Sequence, residues 1–231
     1  MTVLHLTDET EAADLAAFLS RLLHYDRSAA VRLQAAGTAL AVFGRPPSFE
    51  VLAVRAVRLA KPYENGLDVT LDVTVSAGEL LESVDERAAT AAVPGAVTGP
   101  PWAGLLPPRG GWRAEPGLPG PDALRAAVAS AVAEFRSRTA ELAPELRTRP
   151  ELDRIGHAIW SREIAPTRLP VRALHAAQSL GFLRPSTAAD DTALLSCGTW
   201  LRLRTPYGSV AVRTSVPGAL GSLGDLGVSV R

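Results

Sequence analysis

A stretch rich in proline and glycine, residues 94–121, divides this chain of 231 residues into two halves. Fifteen of its 28 positions are proline or glycine, which resist both helix and strand. Trp102 and Trp112 interrupt the stretch, so it differs from a simple flexible spacer. We expect it to cross the protein surface with the tryptophans as anchors; the alternative is that it binds a partner in extended form.

The first half, residues 1–93, has the pattern of an α+β sheet domain. Asp8 followed by Glu11 predicts the capped start of a helix, and apolar residues then recur at helical spacing. Candidate strands follow at residues 29–35, 38–44, 49–59 and 67–75. We expect an antiparallel sheet with helices packed against it.

Two glycines predict connections in this sheet. Gly37 lies between the first two candidate strands and predicts a tight hairpin there. Asn65–Gly66 is the clearest turn signal in the chain and precedes the strand at 67–75. Apolar residues of that strand alternate with Asp68 and Asp72, which predicts one solvated acidic face. A cation site on the two carboxylates is the alternative.

Four arginines lie on the candidate strands of the first half or beside them: Arg32, Arg45, Arg55 and Arg58. They would line an anion site if they faced the same side of the sheet. The alternative is that they are surface charges that pair with Glu50, Asp68 and Asp72 across strands.

The second half, residues 122–214, predicts three helices followed by a β-hairpin. The helices begin near Pro121, Arg149 and Leu169, and Gly181 follows the last one. Residues 200–204 and 210–213 alternate around a Pro206–Tyr207–Gly208–Ser209 turn. This order resembles a winged helix-turn-helix module, and the resemblance implies a recognition helix and a wing.

A basic surface would form if the last helix and the hairpin faced the same way. Its residues would be Arg168, Arg172, His175, Ser179, Arg202 and Arg204. Arginine binds both guanine and phosphate, so this surface is the predicted contact with DNA or with a protein partner.

Charge is distributed unevenly, although the chain has a net charge of +0 and a pI of about 6.9. Residues 147–214 hold ten arginines and five acidic residues, whereas residues 1–146 hold thirteen basic and eighteen acidic residues. A neutral total disfavours strong non-specific binding to nucleic acid. The opposite charges also favour docking of the two halves, which would cover the basic surface.

The chain contains none of the common motifs for phosphate-binding loops, dinucleotide folds, zinc proteases or serine hydrolases. Its single cysteine, Cys197, excludes an internal disulfide and a cysteine cluster. His157 follows Asp153 by four residues, a spacing more typical of a surface hydrogen bond than of a metal site. We therefore expect no cofactor and no metal.

Taken together, these features predict a non-catalytic binding or regulatory protein. The alternative is an enzyme or small-molecule-binding protein with a cleft between the two halves. No apolar run approaches the ~18 residues of a membrane span, and the N-terminus lacks a signal-peptide pattern. We expect a soluble, cytoplasmic protein without membrane association. The tail, residues 215–231, has glycine at every third position, which predicts a mobile terminus or a contact with a second copy in a homodimer.

Overall fold

The computed structural model describes residues 2–63, 70–185 and 192–214, and it has the α+β fold that the sequence predicts. The helices are α1 Glu9–Tyr25, α2 Ala77–Glu82, α3 Pro121–Glu141, α4 Arg149–Trp160 and α5 Val171–Ser179. The strands are β1 Val3–His5, β2 Ala30–Gly44, β3 Leu52–Tyr63, β4 Thr70–Ser76, β5 Val84–Asp85, β6 Thr90–Ala92, β7 Arg113–Glu115, β8 Ala193–Cys197, β9 Trp200–Thr205 and β10 Gly208–Arg213. Within the described ranges, the helices are too short or too polar to cross a lipid bilayer.

Strands from both halves of the chain form one antiparallel sheet. Across the described residues its order is β4-β2-β3-β10-β9-β8-β7. The halves meet where β3 pairs with β10, with Leu52 opposite Ala211 and Val54 opposite Ser209. The hairpin β9–β10 therefore lies inside the sheet, between β3 and β8. A wing must protrude to contact DNA, so the predicted winged-helix order is not confirmed.

The sequence predicted two strands joined by a tight hairpin. The structure has a single bent strand, β2, in their place. Its first part pairs with β4, and its second part pairs with β3. Gly37 has a φ of 56°, and the register of the pairing with β3 shifts between Gly37 and Ala39, so the ladder is irregular at this point. Glycine adopts this left-handed conformation without a steric penalty, so Gly37 bends the strand and lets it continue.

The main apolar core lies between one face of this sheet and helices α1, α2, α3 and α5. α1 buries the apolar stripe that the sequence predicts: Leu15, Phe18, Leu19 and Leu22. In the hairpin, Leu201 and Leu203 are buried in the same core. Successive side chains of a strand point to opposite faces, so Arg202 and Arg204 lie on the other face of the sheet.

Residues 97–112, here called the strap, cross that other face. At one end, the N–H of Val97 donates to a carbonyl oxygen of β4 at 2.9 Å. At the other end, Sγ of Cys197 donates to the carbonyl oxygen of Gly110 at 3.6 Å. The strap is thus tied near both edges of the sheet.

The middle of the strap is held by one arginine and by apolar contacts. Arg32 donates to the carbonyl oxygen of Ala103 at 2.5 Å and to both carboxylate oxygens of Asp72 at 2.7 and 3.0 Å. Trp102 and Leu106 pack on an apolar cluster of the sheet: Phe43, Leu52, Val54 and Ala211. The proline- and glycine-rich stretch therefore crosses the surface with Trp102 as an anchor, as its sequence indicates.

A buried ion network joins α1 to the sheet and to the second half. Arg55 donates to Glu11 at 3.1 Å, to Asp14 at 3.2 Å and to the carbonyl oxygen of Tyr207 at 2.7 Å. Its side chain is only 7% exposed. Arg184 of the second half pairs with Asp14 at 2.9 Å. The two carboxylates of α1 thus bind cations from both halves.

Three sequence predictions lie outside the described residues: the Asn65–Gly66 turn, the carboxylate of Asp68 and the tail at 215–231. The division into domains at 1–93, 94–121 and 122–214 stays a prediction. Both halves contribute strands to the same sheet, so any division of the chain has to cut through that sheet.

We expect Arg55→Ala to lower the free energy of unfolding by about 3 kcal/mol, because it removes one partner from a buried ion network. Arg58→Ala is a matched control. Arg58 pairs with the same Glu11 at 2.9 Å, but its side chain is 75% exposed. Loss of an exposed pair lowers stability by about 0–1 kcal/mol. Urea denaturation followed by circular dichroism measures both, and equal losses would contradict the expectation.

Candidate functional site

The structure does not bring the six predicted binding residues onto one surface. α5 packs against the face of the sheet that carries Leu201 and Leu203. Arg202 and Arg204 alternate with these leucines and therefore point toward the strap side. Arg202 and Arg204 of the hairpin thus lie on the side of the sheet opposite α5.

On α5 and just before it, the predicted polar face is largely in contact with the protein. His175 stacks on Trp160, with ring centroids 4.6 Å apart, and meets Phe49 edge-on at 5.1 Å. Burial lowers the pKa of His175 below its ordinary value. Ser179 is half-buried, and Arg168 is exposed. The imidazole is therefore part of an aromatic cluster and does not face solvent as a recognition residue would.

The two hairpin arginines have different environments. Arg202 is half-buried, its Nε donates to Oγ of Ser209 at 2.9 Å, and its guanidinium carbon lies 5.8 Å from the ring centroid of Trp112. Burial lowers the pKa of Arg202, and the positive charge of Arg204 lowers it further. Arg204 is exposed. Of the two, Arg204 is the one open to solvent.

Arg172 lies in the first turn of α5 and reaches the end of the sheet. Its Nε is 4.0 Å from a carboxylate oxygen of Glu50, which is too far for a hydrogen bond. This Nε is buried and has no hydrogen-bond partner in the described part of the chain. Buried polar atoms are ordinarily paired, so Arg172 retains an unused donor.

Arg172 lines a cleft of about 390 Å³, which contains residues of both halves. Within the described residues, its charged groups are three arginines, Arg45, Arg172 and Arg213, and one carboxylate, Glu50. The cleft therefore has a formal excess of positive charge. We refer to it below as the cleft.

Strand ends bring these side chains together. Arg45 follows the last residue of β2, and Arg213 is the last residue of β10, opposite Trp200 at the start of β9. Leu52, the first residue of β3, pairs with Ala211 of β10. Neighbouring strands are antiparallel, so the end of one strand lies beside the start of the next. The ends of β2 and β10 and the starts of β3 and β9 therefore lie together along one side of the sheet where strands begin and end.

Apolar side chains complete the cleft. Trp102 of the strap and Trp200 of β9 line it, and Leu52 and Ala211 contribute sheet residues. The guanidinium carbon of Arg213 lies 5.7 Å from the ring centroid of Trp200, within the range of a cation–π contact. The cleft thus combines cations with aromatic surface.

Two other cavities lie beside the strap. One, of about 710 Å³, shares Arg45 and Trp102 with the cleft, and its charged groups are Arg45 and Asp26. The other, of about 370 Å³, lies over an alanine-rich part of β2 and β3, and its charged groups are Asp72, Arg109 and Arg202. Hydrogen bonds from Arg32 lower the pKa of Asp72 and keep it ionised. A charge excess carried by three arginines sets the cleft apart from these two.

Sequence reasoning found part of this site and missed the rest. The sequence left two alternatives for Arg45 and three other arginines, an anion site or pairing with acids across strands. Arg32 pairs with Asp72 across β2 and β4, as the second alternative has it, and Arg55 and Arg58 pair with Glu11. Arg213 and Trp200 were not singled out together. Their alternation along β9 and β10 places them on one face, but their proximity to Arg45 depends on the pairing of the two halves.

The structure also places the residues of the predicted histidine pair. Asp153 binds Arg149 at 2.9 Å, and Nδ1 of His157 lies 3.3 Å from Oγ of Ser161. The predicted contact between Asp153 and His157 is therefore replaced by other partners. Within the described ranges, no group of three or more His, Cys, Asp or Glu side chains is placed to hold a metal ion.

Two family models match the sequence. Residues 1–104 match a domain of unknown function, DUF8010, and residues 107–217 match another domain of unknown function, DUF8185. The two matched regions meet within the strap. No curated protein and no solved structure matches the chain.

We expect His175→Phe to reduce the loss of stability that the protein undergoes in mild acid. Burial lowers the folded-state pKa of His175, so the unfolded chain takes up this proton at a higher pH. Stability therefore falls as the pH drops below about 6.5 and is unaffected by this group above that value. Phenylalanine keeps the contacts with Trp160 and Phe49.

Urea unfolding between about pH 7 and pH 5 measures this effect. The other histidines are present in both proteins and serve as the internal control. The same pH profile for both proteins would contradict the assignment.

Proposed function

We propose that this is a binding protein that holds a small anionic molecule in the cleft between its two halves. The observation that carries the proposal is the charge of the cleft lining, in which three arginines are accompanied by a single carboxylate. Guanidinium groups bind carboxylate and phosphate oxygens through paired, charge-assisted hydrogen bonds. The volume of about 390 Å³ lies within the range of roughly 300–1,000 Å³ that is typical of ligand sites.

Partial burial makes the charge of Arg172 more effective than that of Arg45 and Arg213, which are exposed. The side chain of Arg172 is 25% exposed, whereas that of Glu50 is 75% exposed. Water screens Glu50 more strongly, so at 4.0 Å it neutralises the guanidinium only weakly. An anion that enters the cleft would meet a less screened cation, and the exposed part of the Arg172 guanidinium would donate to it.

The sequence-based hypothesis of DNA contact receives less support from this geometry. Duplex DNA requires a continuous basic surface, because its affinity comes mainly from phosphate neutralisation. Arg172 lines the cleft, Arg202 is half-buried, and Arg202 and Arg204 point to the face of the sheet opposite α5. Contact with a protein partner, a homodimer and a cytoplasmic location stay predictions from the sequence.

We expect inorganic phosphate, the simplest probe, to bind with a Kd on the order of 1 mM. Arg172→Gln should weaken this binding about tenfold, because it removes a charge-assisted hydrogen bond. Arg204→Gln is the control, since Arg204 is an exposed arginine that does not line the cleft. NMR titration of the arginine Nε–H signals follows the binding. Absence of saturation up to about 50 mM, or equal weakening in both variants, would rule out the proposal.

A further inference from the structure

The cleft is larger than the anion that its arginines would bind. At about 30 Å³ per water molecule, a volume of about 390 Å³ corresponds to roughly a dozen waters. Inorganic phosphate, with five heavy atoms, would fill only part of this space. A ligand that fits the cleft therefore carries an organic group in addition to its charge.

The charges in the cleft select the type of anion. Arg45, Arg172 and Arg213 against Glu50 give a formal excess of two positive charges. A phosphate monoester carries about −1.5 to −2 at pH 7 and offers three acceptor oxygens. A carboxylate or sulfonate carries only one negative charge, so the phosphate monoester matches the cleft better.

The apolar lining indicates the shape of the organic group. Trp102 and Trp200 line the cleft from the strap and from β9. Flat rings stack on tryptophan with little dependence on their substituents. Leu105, which also lines the cleft, is 62% exposed, so an entering ring would remove part of its side chain from water.

We infer that the cleft takes a phosphate monoester of a flat aromatic or heteroaromatic group. This inference rests on the proposed function and adds the class of ligand. The phosphate binds to Arg45, Arg172 and Arg213, and the ring lies against Trp102 and Trp200. The role of the strap is then to supply one wall of the ligand site.

Isothermal titration calorimetry on the full chain tests this with three probes: phenyl phosphate, inorganic phosphate and benzenesulfonate. Phenyl phosphate should bind about tenfold more tightly than inorganic phosphate, because the ring adds stacking and apolar burial. It should also bind about tenfold more tightly than benzenesulfonate, which has the ring but only one charge.

Trp102→Leu should weaken phenyl phosphate about tenfold and leave inorganic phosphate unchanged. Trp112→Leu is the matched control, because Trp112 belongs to the same strap but does not line the cleft. Circular dichroism establishes that each variant is folded. Should Trp102→Leu not fold, Leu105→Ser replaces it, since this side chain is 62% exposed; about threefold weakening of phenyl phosphate is then expected.

The outcomes separate this inference from the proposed function. Equal affinity for phenyl phosphate and inorganic phosphate, both weakened by Arg172→Gln, would overturn the aromatic ligand and keep the anion site. Equal affinity for phenyl phosphate and benzenesulfonate would overturn the phosphate monoester. Absence of binding by all three probes would overturn the inference together with the proposed function.

Discussion

The backbone pairing of β3 with β10 is the contact on which the rest of this structure depends. It joins segments that are far apart in the chain, with Leu52 opposite Ala211 and Val54 opposite Ser209. Through this pairing, the hairpin of the second half lies in the interior of a sheet whose first strands come from the first half. Arg55 of β3 reinforces the junction, because it binds the carboxylates of α1 and the carbonyl oxygen of Tyr207 just before β10. The cleft exists because this pairing places strand ends from both halves next to one another.

The strap and the cavities beside it are explained by the width of that sheet. Helices cover one face, while the other has an apolar centre that would otherwise be an exposed hydrophobic patch. Trp102 and Leu106 cover that centre. A single chain segment is narrower than the sheet beneath it, so it leaves cavities along its sides. The cleft is the cavity where one side of the strap meets the ends of β3, β9 and β10. It therefore combines an aromatic wall with arginines at the ends of strands.

Features set by local sequence could be predicted, and features set by long-range pairing could not. The side chain of Asp8 accepts a hydrogen bond from the N–H of Glu11 at 2.9 Å, as its position before α1 predicts. Gly181 follows α5 with a φ of 76°, also as predicted. The hairpin predicted at Gly37 was wrong because glycine with positive φ occurs both in hairpin turns and within continuous strands, and only the partners of β2 distinguish the two cases. In the site, alternation places Trp200 and Arg213 on one face, but nothing local places Arg45 beside them.

Arg172 illustrates how packing changes the role that a side chain has on an isolated helix. On the helical wheel it shares a polar face with His175, which suggests a surface for DNA. In the folded protein, α5 packs so that His175 lies between Trp160 and Phe49, while Arg172 reaches Glu50 and the cleft. Three arginines and one exposed carboxylate line the cleft, so the like charges of the arginines give it a positive potential. An anion that binds only the folded state neutralises this charge and stabilises the fold by mass action. Binding of the proposed anion would therefore be coupled to the union of the two halves, because the arginines that would hold it come from both halves.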